Sequence, residues 1–141
     1  MILSPAKSLF STRGRAIAYW ITTGLLVFEL CLGGVWDVLQ VHQVREVIER
    51  LGYPPYFLII LGTWKLLGGI ALAAPRLPRL KEWAYAGAVF DLSGALASHL
   101  ASGFNDTGAF LYLIVLTAVA FASWALRPSD RRLQTRAGFV K

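Results

Sequence analysis

The chain has 141 residues, of which 56% are hydrophobic and only 16% are charged, and its formal net charge is +6. A soluble domain of this length usually has about one-quarter charged residues, so the composition argues against an ordinary soluble fold and indicates a single membrane domain over 1–141. The single cysteine, Cys31, excludes an intrachain disulfide.

Four apolar segments are long enough to span a bilayer, which takes about 20 residues of helix. They cover about 17–39, 56–74, 83–101 and 108–126. Pro75 and Pro78 end the second segment, because proline lacks a backbone donor and clashes with the preceding helical turn. The first segment follows a basic leader, but its apolar stretch is too long for a signal peptide and no clear cleavage pattern follows it. We therefore expect an all-α fold, an antiparallel transmembrane four-helix bundle.

The lysines and arginines that flank these segments predict the orientation of the chain. Eleven lie in the tails 1–16 and 127–141 and in the connection 75–82, against two in the loop between the first and second segments. Because basic flanks stay in the cytoplasm, both termini are expected there. The uneven distribution explains the positive charge as a topology signal with contact to anionic lipids. It argues against nucleic acid as a partner, and the lipid bilayer is the partner expected instead.

The loop after the first segment has a helical pattern of its own. Valine, isoleucine and leucine recur at helical spacing between residues 41 and 51. Two pairs of opposite charges, Arg45 with Glu49 and Glu46 with Arg50, lie four residues apart and support a helix. Gly52 is a suitable helix stop. We predict a short amphipathic helix at the outer membrane surface, the alternative being an extended loop.

Lys65 lies near the middle of the second segment, where a lysine costs about 2.5–3.5 kcal/mol on insertion-derived scales. It should face the other helices and have a partner. Glu29 and Asp91 are at matching depth in the first and third segments, and small residues lie beside all three on the same helical stripes. Glu29, Lys65 and Asp91 are therefore our candidate acid–base cluster. With one carboxylate, Lys65 would only fix helix packing; with two, one acid could retain a proton.

A second polar set is expected at the outer end of the helices. Asp37 and His99 are candidate residues of a pocket mouth, and Trp64, beside Lys65, is a candidate cavity wall. Histidines and carboxylates are metal ligands, but the spacing of this set matches no metal motif, and we predict no metal site. Its members are Asp37, His42, His99, Asn105 and Asp106.

Residues 51–103 resemble the DoxX-like family of small bacterial membrane proteins. The similarity lies in GYP before the second segment, LGxxKLLG within it, the crossing PRLPRLKEWAYAG, and FDLSGAxxSH in the third segment. The resemblance implies a four-helix membrane bundle and a connection to quinones or oxidative stress. It also implies that Lys65, Glu82, Asp91 and His99 are recurrent family residues; Glu82 is expected to pair with Arg79 or a tail arginine.

Three functions are consistent with these observations. The first, from the resemblance, is a quinone- or lipid-linked redox accessory subunit that binds an apolar molecule and works with a membrane oxidoreductase or a second copy of itself. The second is a membrane enzyme, an isomerase or cyclase, that performs proton chemistry on a lipophilic substrate. The third is a purely structural component. The sequence contains no haem, nucleotide or metal motif. Quinone is the one cofactor that we name, and the sequence does not identify the cofactor.

Overall fold

A computed structural model of the chain describes residues 12–104 and 106–132, and every regular element in these residues is helical. Four helices are long and one is short, and a single 3₁₀ turn follows the last of them. They are α1 (Thr12–Val38), α2 (His42–Arg50), α3 (Tyr56–Ala73), α4 (Pro78–Ser102) and α5 (Thr107–Leu126). The prediction of an all-α fold is confirmed.

Three of the long helices, α1, α3 and α5, are long and apolar enough to cross a membrane. Helix α4 is equally long but less apolar, because alanine, glycine, serine and four ionised side chains replace larger hydrophobic residues. It begins at Pro78, several residues before the predicted segment, and it therefore includes Lys81 and Glu82.

The four long helices pack in the cyclic order α1, α3, α4, α5, so that each contacts two neighbours. Their shared core consists of apolar side chains from all four: Leu26, Leu30, Leu72, Tyr85, Ala88, Leu92, Leu113 and Ala120. Many other large apolar side chains are exposed on the outside of these helices. Exposed apolar surface of this extent is what lipid-facing helices present to the bilayer.

Helices α1 and α3 approach each other most closely at two glycines. A Cβ atom on Gly62 would lie 2.6 Å from the backbone oxygen of Gly34, and one on Gly69 would lie 2.7 Å from Sγ of Cys31. As α3 continues from Gly62 to Gly69, its contacts move backwards along α1 from Gly34 to Cys31, so the two helices are antiparallel. Small residues permit this separation between helix backbones.

The helix predicted in the first loop is present as α2. Arg45 donates to Glu49 over 2.8 Å. In the second pair, which is also four residues apart in sequence, Arg50 donates to Glu46. Gly52 follows the helix with φ of +89°, a left-handed conformation that glycine adopts without a steric penalty. The chain then turns into Pro54 and Pro55 and starts α3.

Candidate functional site

Lys65 links three of the long helices. Its Nζ lies 3.0 Å from Oδ2 of Asp37 on α1 and 3.7 Å from Oδ2 of Asp91 on α4. One ammonium is therefore held between two carboxylates at the place where α3 contacts both of its neighbours. This grouping offsets the cost of a lysine at membrane depth.

The two carboxylates differ in accessibility. The side chain of Asp37 is 5% exposed, whereas those of Lys65 and Asp91 are 21% and 16% exposed. Asp37 lies behind the lysine, against the close contact of α1 and α3, because the Cβ of Asp37 borders Gly62. Lys65 and Asp91 are consequently the members of the group that a small molecule could reach.

In the structure, the carboxylate of α1 that pairs with Lys65 is that of Asp37. The sequence predicts Glu29 in this role and Asp37 at a pocket mouth. Helical side chains lean towards the N-terminus of their helix. The N-terminus of α3 is at the end where α1 finishes, so the side chain of Lys65 leans towards Asp37 in the last turn of α1. Glu29 lies two turns earlier in α1 and leans the opposite way, and it makes no ion pair with Lys65 within the described residues.

A groove opens between α3 and α4 with Lys65 and Asp91 at one end. Its volume is about 480 Å³. We call it the α3/α4 groove; its apolar wall comes from both helices and includes Trp64, Gly68, Ala71, Trp83, Gly87 and Phe90. Lining positions recur one turn apart along each helix, so the groove extends from the polar pair towards the connection between the helices. Trp64 lines this groove next to Lys65.

Glu29 lines a second, smaller cavity of about 90 Å³ on the other side of the same pair. Lys65 and Asp91 line both spaces. The small cavity also contains Tyr112 of α5, which we did not single out in the sequence because a tyrosine in an apolar span is usually an anchor at the membrane interface. Glu29, Lys65 and Asp91 thus line one cavity. Asp37 pairs with Lys65 and does not line it.

The residues of the predicted outer set have separate structural roles. His99 is buried, donates from Nδ1 to the backbone oxygen of Ala95 over 2.9 Å, and packs beside Phe104 and Phe110. Asp106 caps α5 by accepting from the backbone of Gly108 over 2.8 Å. His42 is exposed on α2, and Asn105 lies outside the described residues. Across 12–104 and 106–132, no three side chains of metal-ligating type are grouped as a metal site requires.

Comparison with known proteins gives one match. Residues 21–123 match the model of the DoxX-like family. No curated protein and no solved structure matches the chain. The matched residues include all of Glu29, Asp37, Lys65 and Asp91, so the ion-paired group lies inside the part of the chain that the family model covers.

Proposed function

The chain belongs to the DoxX-like family and is an integral membrane protein, and from this premise we propose that it binds a lipophilic molecule with a polar head, of the quinone or lipid type, in the α3/α4 groove. In this proposal the chain spans the bacterial cytoplasmic membrane four times, with α4 as the third span, α2 at the outer surface and both termini in the cytoplasm. It acts as an accessory subunit of a redox- or stress-linked membrane system.

The observation that carries the proposal is the combination of an apolar groove with one polar end. Sites for small molecules typically enclose about 300–1,000 Å³, are mostly apolar, and contain a few polar groups that fix orientation. The α3/α4 groove has a volume of about 480 Å³, and the charged side chains in its lining are Lys65 and Asp91. An apolar tail fits the wall, and a polar head fits the pair.

The chemistry of the pair suits a quinone. The Lys65 ammonium is a donor for a carbonyl oxygen, and the Asp91 carboxylate is an acceptor for a hydroxyl group. A quinone presents carbonyls and a quinol presents hydroxyls, so the same two side chains can bind both redox forms. Asp37 contributes indirectly, because it holds the lysine from the side away from the groove.

Two leucine substitutions on α4 test the proposal. Gly87 lines the groove, and a Cβ on it would meet nothing within 4 Å, so Gly87→Leu fills the groove without a backbone clash. Gly94 is also open, lies on the same helix and does not line the groove, which makes Gly94→Leu the matched control. Trp64 and Trp83 in the wall provide a fluorescence signal for titration with a short-chain quinone.

We expect saturable quenching in the wild type and in Gly94→Leu, and its loss in Gly87→Leu. A long-chain alkyl detergent without the quinone head serves as the ligand control. Equal quenching in all three proteins, or equal quenching by the detergent, would contradict specific binding in the groove and favour the purely structural function.

A second function, proton chemistry on a lipophilic substrate, is favoured by one observation. Lys65 and Asp91 line both the groove and the small cavity that contains Glu29 and Tyr112. A molecule in the groove would therefore meet an acid that has further ionisable groups behind it, as proton transfer requires. Exchange of solvent deuterium into a bound substrate, lost in Asp91→Asn, would distinguish this function from binding alone.

A further inference from the structure

A cluster of three basic residues lies where α4 begins and α5 ends. Lys81, Arg127 and Arg131 form this group, which we call the basic cluster. Lys81 is 1% exposed and Arg127 is 4% exposed, while Arg131 is half-buried. Buried cations are costly unless an acceptor or an opposite charge meets each of them.

Part of the hydrogen-bonding capacity of the cluster is used by the helices themselves. Nζ of Lys81 donates to the backbone oxygens of Ala71, over 3.1 Å, and Leu72, and so caps the end of α3. Arg127 donates from Nη2 to Glu82 over 2.8 Å and from Nε to the backbone oxygen of Trp124 over 3.0 Å. Cations at helix C-termini are stabilised by the helix dipole, which accounts for the contacts with the backbone oxygens of α3 and α5.

One donor of the cluster is left over. Nη1 of Arg127 is buried and, within the described residues, has no hydrogen-bond partner. An unpaired buried donor on a charged group costs more than an ordinary lost hydrogen bond. Nη1 is therefore available to an acceptor that is not part of the described chain.

The charges of the cluster are also unbalanced. Glu82 is the carboxylate that pairs with it in the described residues, and Glu82 also accepts from Nε1 of Trp124 over 3.0 Å. Asp130, next in the chain to Arg131, is exposed and is not among the ion pairs of the described chain. Positive charge is thus in excess here.

Two exposed tryptophans lie beside the arginines of the cluster. The guanidinium carbon of Arg131 is 4.6 Å from the ring centre of Trp20, and that of Arg127 is 5.6 Å from the ring of Trp124. Both tryptophans are exposed, and exposed tryptophans at helix ends mark the membrane interface. Basic pockets between helices at this depth bind the head groups of anionic lipids.

We propose that Arg127 and Arg131, with Lys81 behind them, bind the phosphate group of an anionic phospholipid. A phosphate oxygen that enters past Arg131 gives Nη1 of Arg127 the acceptor that it lacks. The guanidinium groups match phosphate oxygens in geometry and charge. This site is separate from the polar end of the α3/α4 groove and does not depend on the function proposed for the groove.

The test compares lipids and variants in the delipidated full-length protein. Thermal unfolding in detergent is followed while phosphatidylglycerol, phosphatidylcholine or inorganic phosphate is added. Arg131→Gln removes the accessible member of the cluster and leaves the buried Arg127–Glu82 pair intact. Arg79→Gln is the matched control, because Arg79 is exposed in the first turn of α4 and does not belong to the cluster.

We expect phosphatidylglycerol to raise the unfolding temperature of the wild type and of Arg79→Gln, since a ligand that binds only the folded state stabilises it. Its apparent affinity should be about fivefold weaker in Arg131→Gln. An equal response to inorganic phosphate would overturn the lipid assignment and identify a site for free phosphate. No response, an equal response to phosphatidylcholine, or equal weakening in both variants would overturn the site itself.

Discussion

The Asp37 carboxylate lies 3.0 Å from the Lys65 ammonium, immediately beside the point where the backbones of α1 and α3 are closest. Gly62, one turn before Lys65, allows this approach, because it leaves room for the Cβ of Asp37. Asp91, on α4, completes the group at 3.7 Å. Tight backbone packing on one side of the lysine and an open groove on the other give the two aspartates different roles.

Removing the lysine charge should destabilise the protein strongly. Lys65→Met leaves the Asp37 carboxylate buried without its cation, and breaking a buried pair in this way costs about 3–5 kcal/mol. Ile70→Met is the control, since Ile70 is exposed on the same helix and does not line the groove. The free energy of unfolding in detergent micelles gives the comparison. Equal stability of the two variants would show that the pair does not support the fold.

The two aspartates should separate stability from binding. Asp37→Asn weakens the buried anchor of Lys65, so we expect lower stability but an intact polar end of the groove. Asp91→Asn removes the carboxylate that faces the groove, while Lys65 keeps Asp37 as its partner. We expect Asp91→Asn to reduce the affinity for a quinol about tenfold or more, the loss of a hydrogen bond to a charged group. Unfolding and quinol titration, performed on both variants, measure the two effects. Weaker quinol binding in Asp37→Asn and lower stability in Asp91→Asn would refute this division of roles.

The glycine at the crossing should not tolerate a methyl group. The Cβ of Gly62→Ala would lie 2.6 Å from the backbone oxygen of Gly34 and 2.8 Å from the backbone nitrogen of Val38, so α1 and α3 must move apart. We expect a loss of about 1–3 kcal/mol, typical of overpacking. Gly24→Ala, on α1, meets nothing within 4 Å and should be neutral or stabilising, because it only improves helix propensity. Similar unfolding curves for both variants would contradict a tight crossing.

The positions of the helices follow closely from the sequence, because length and hydropathy decide them almost alone. Pro75 and Pro78 end α3 and start α4, and the charge spacing in the loop identifies α2. Helix α4 is the instructive case: its small and polar residues make it less apolar than the others, yet it completes the ring of packed helices. A composition that suits close packing weakens the hydropathy signal.

The residues of the candidate site can be predicted only in part from the sequence. Matching depths bring Lys65 and Asp91 together, but they select Glu29 where the structure has Asp37. Depth is counted along the backbone, whereas a lysine side chain extends over several ångströms towards the N-terminus of its helix. The signal for Asp37 is its position one turn after Gly34. That glycine lies where α1 packs antiparallel to α3, against Gly62. The basic cluster has no comparable signal, since topology alone already explains Lys81 and Arg127.

A buried serine should hold three helices together away from the site. Oγ of Ser123 on α5 lies 2.7 Å from both Thr23 Oγ1 on α1 and Tyr85 Oη on α4. Ser123→Ala leaves two buried hydroxyls without this partner, so we expect a loss of about 1–3 kcal/mol in the free energy of unfolding. Ser93→Ala is the control, because among the residues that the structure describes this exposed hydroxyl bonds only to its own helix. If the hydroxyls act through Ser123, adding Tyr85→Phe to Ser123→Ala should cost less than Tyr85→Phe alone; fully additive losses would contradict the three-way bond.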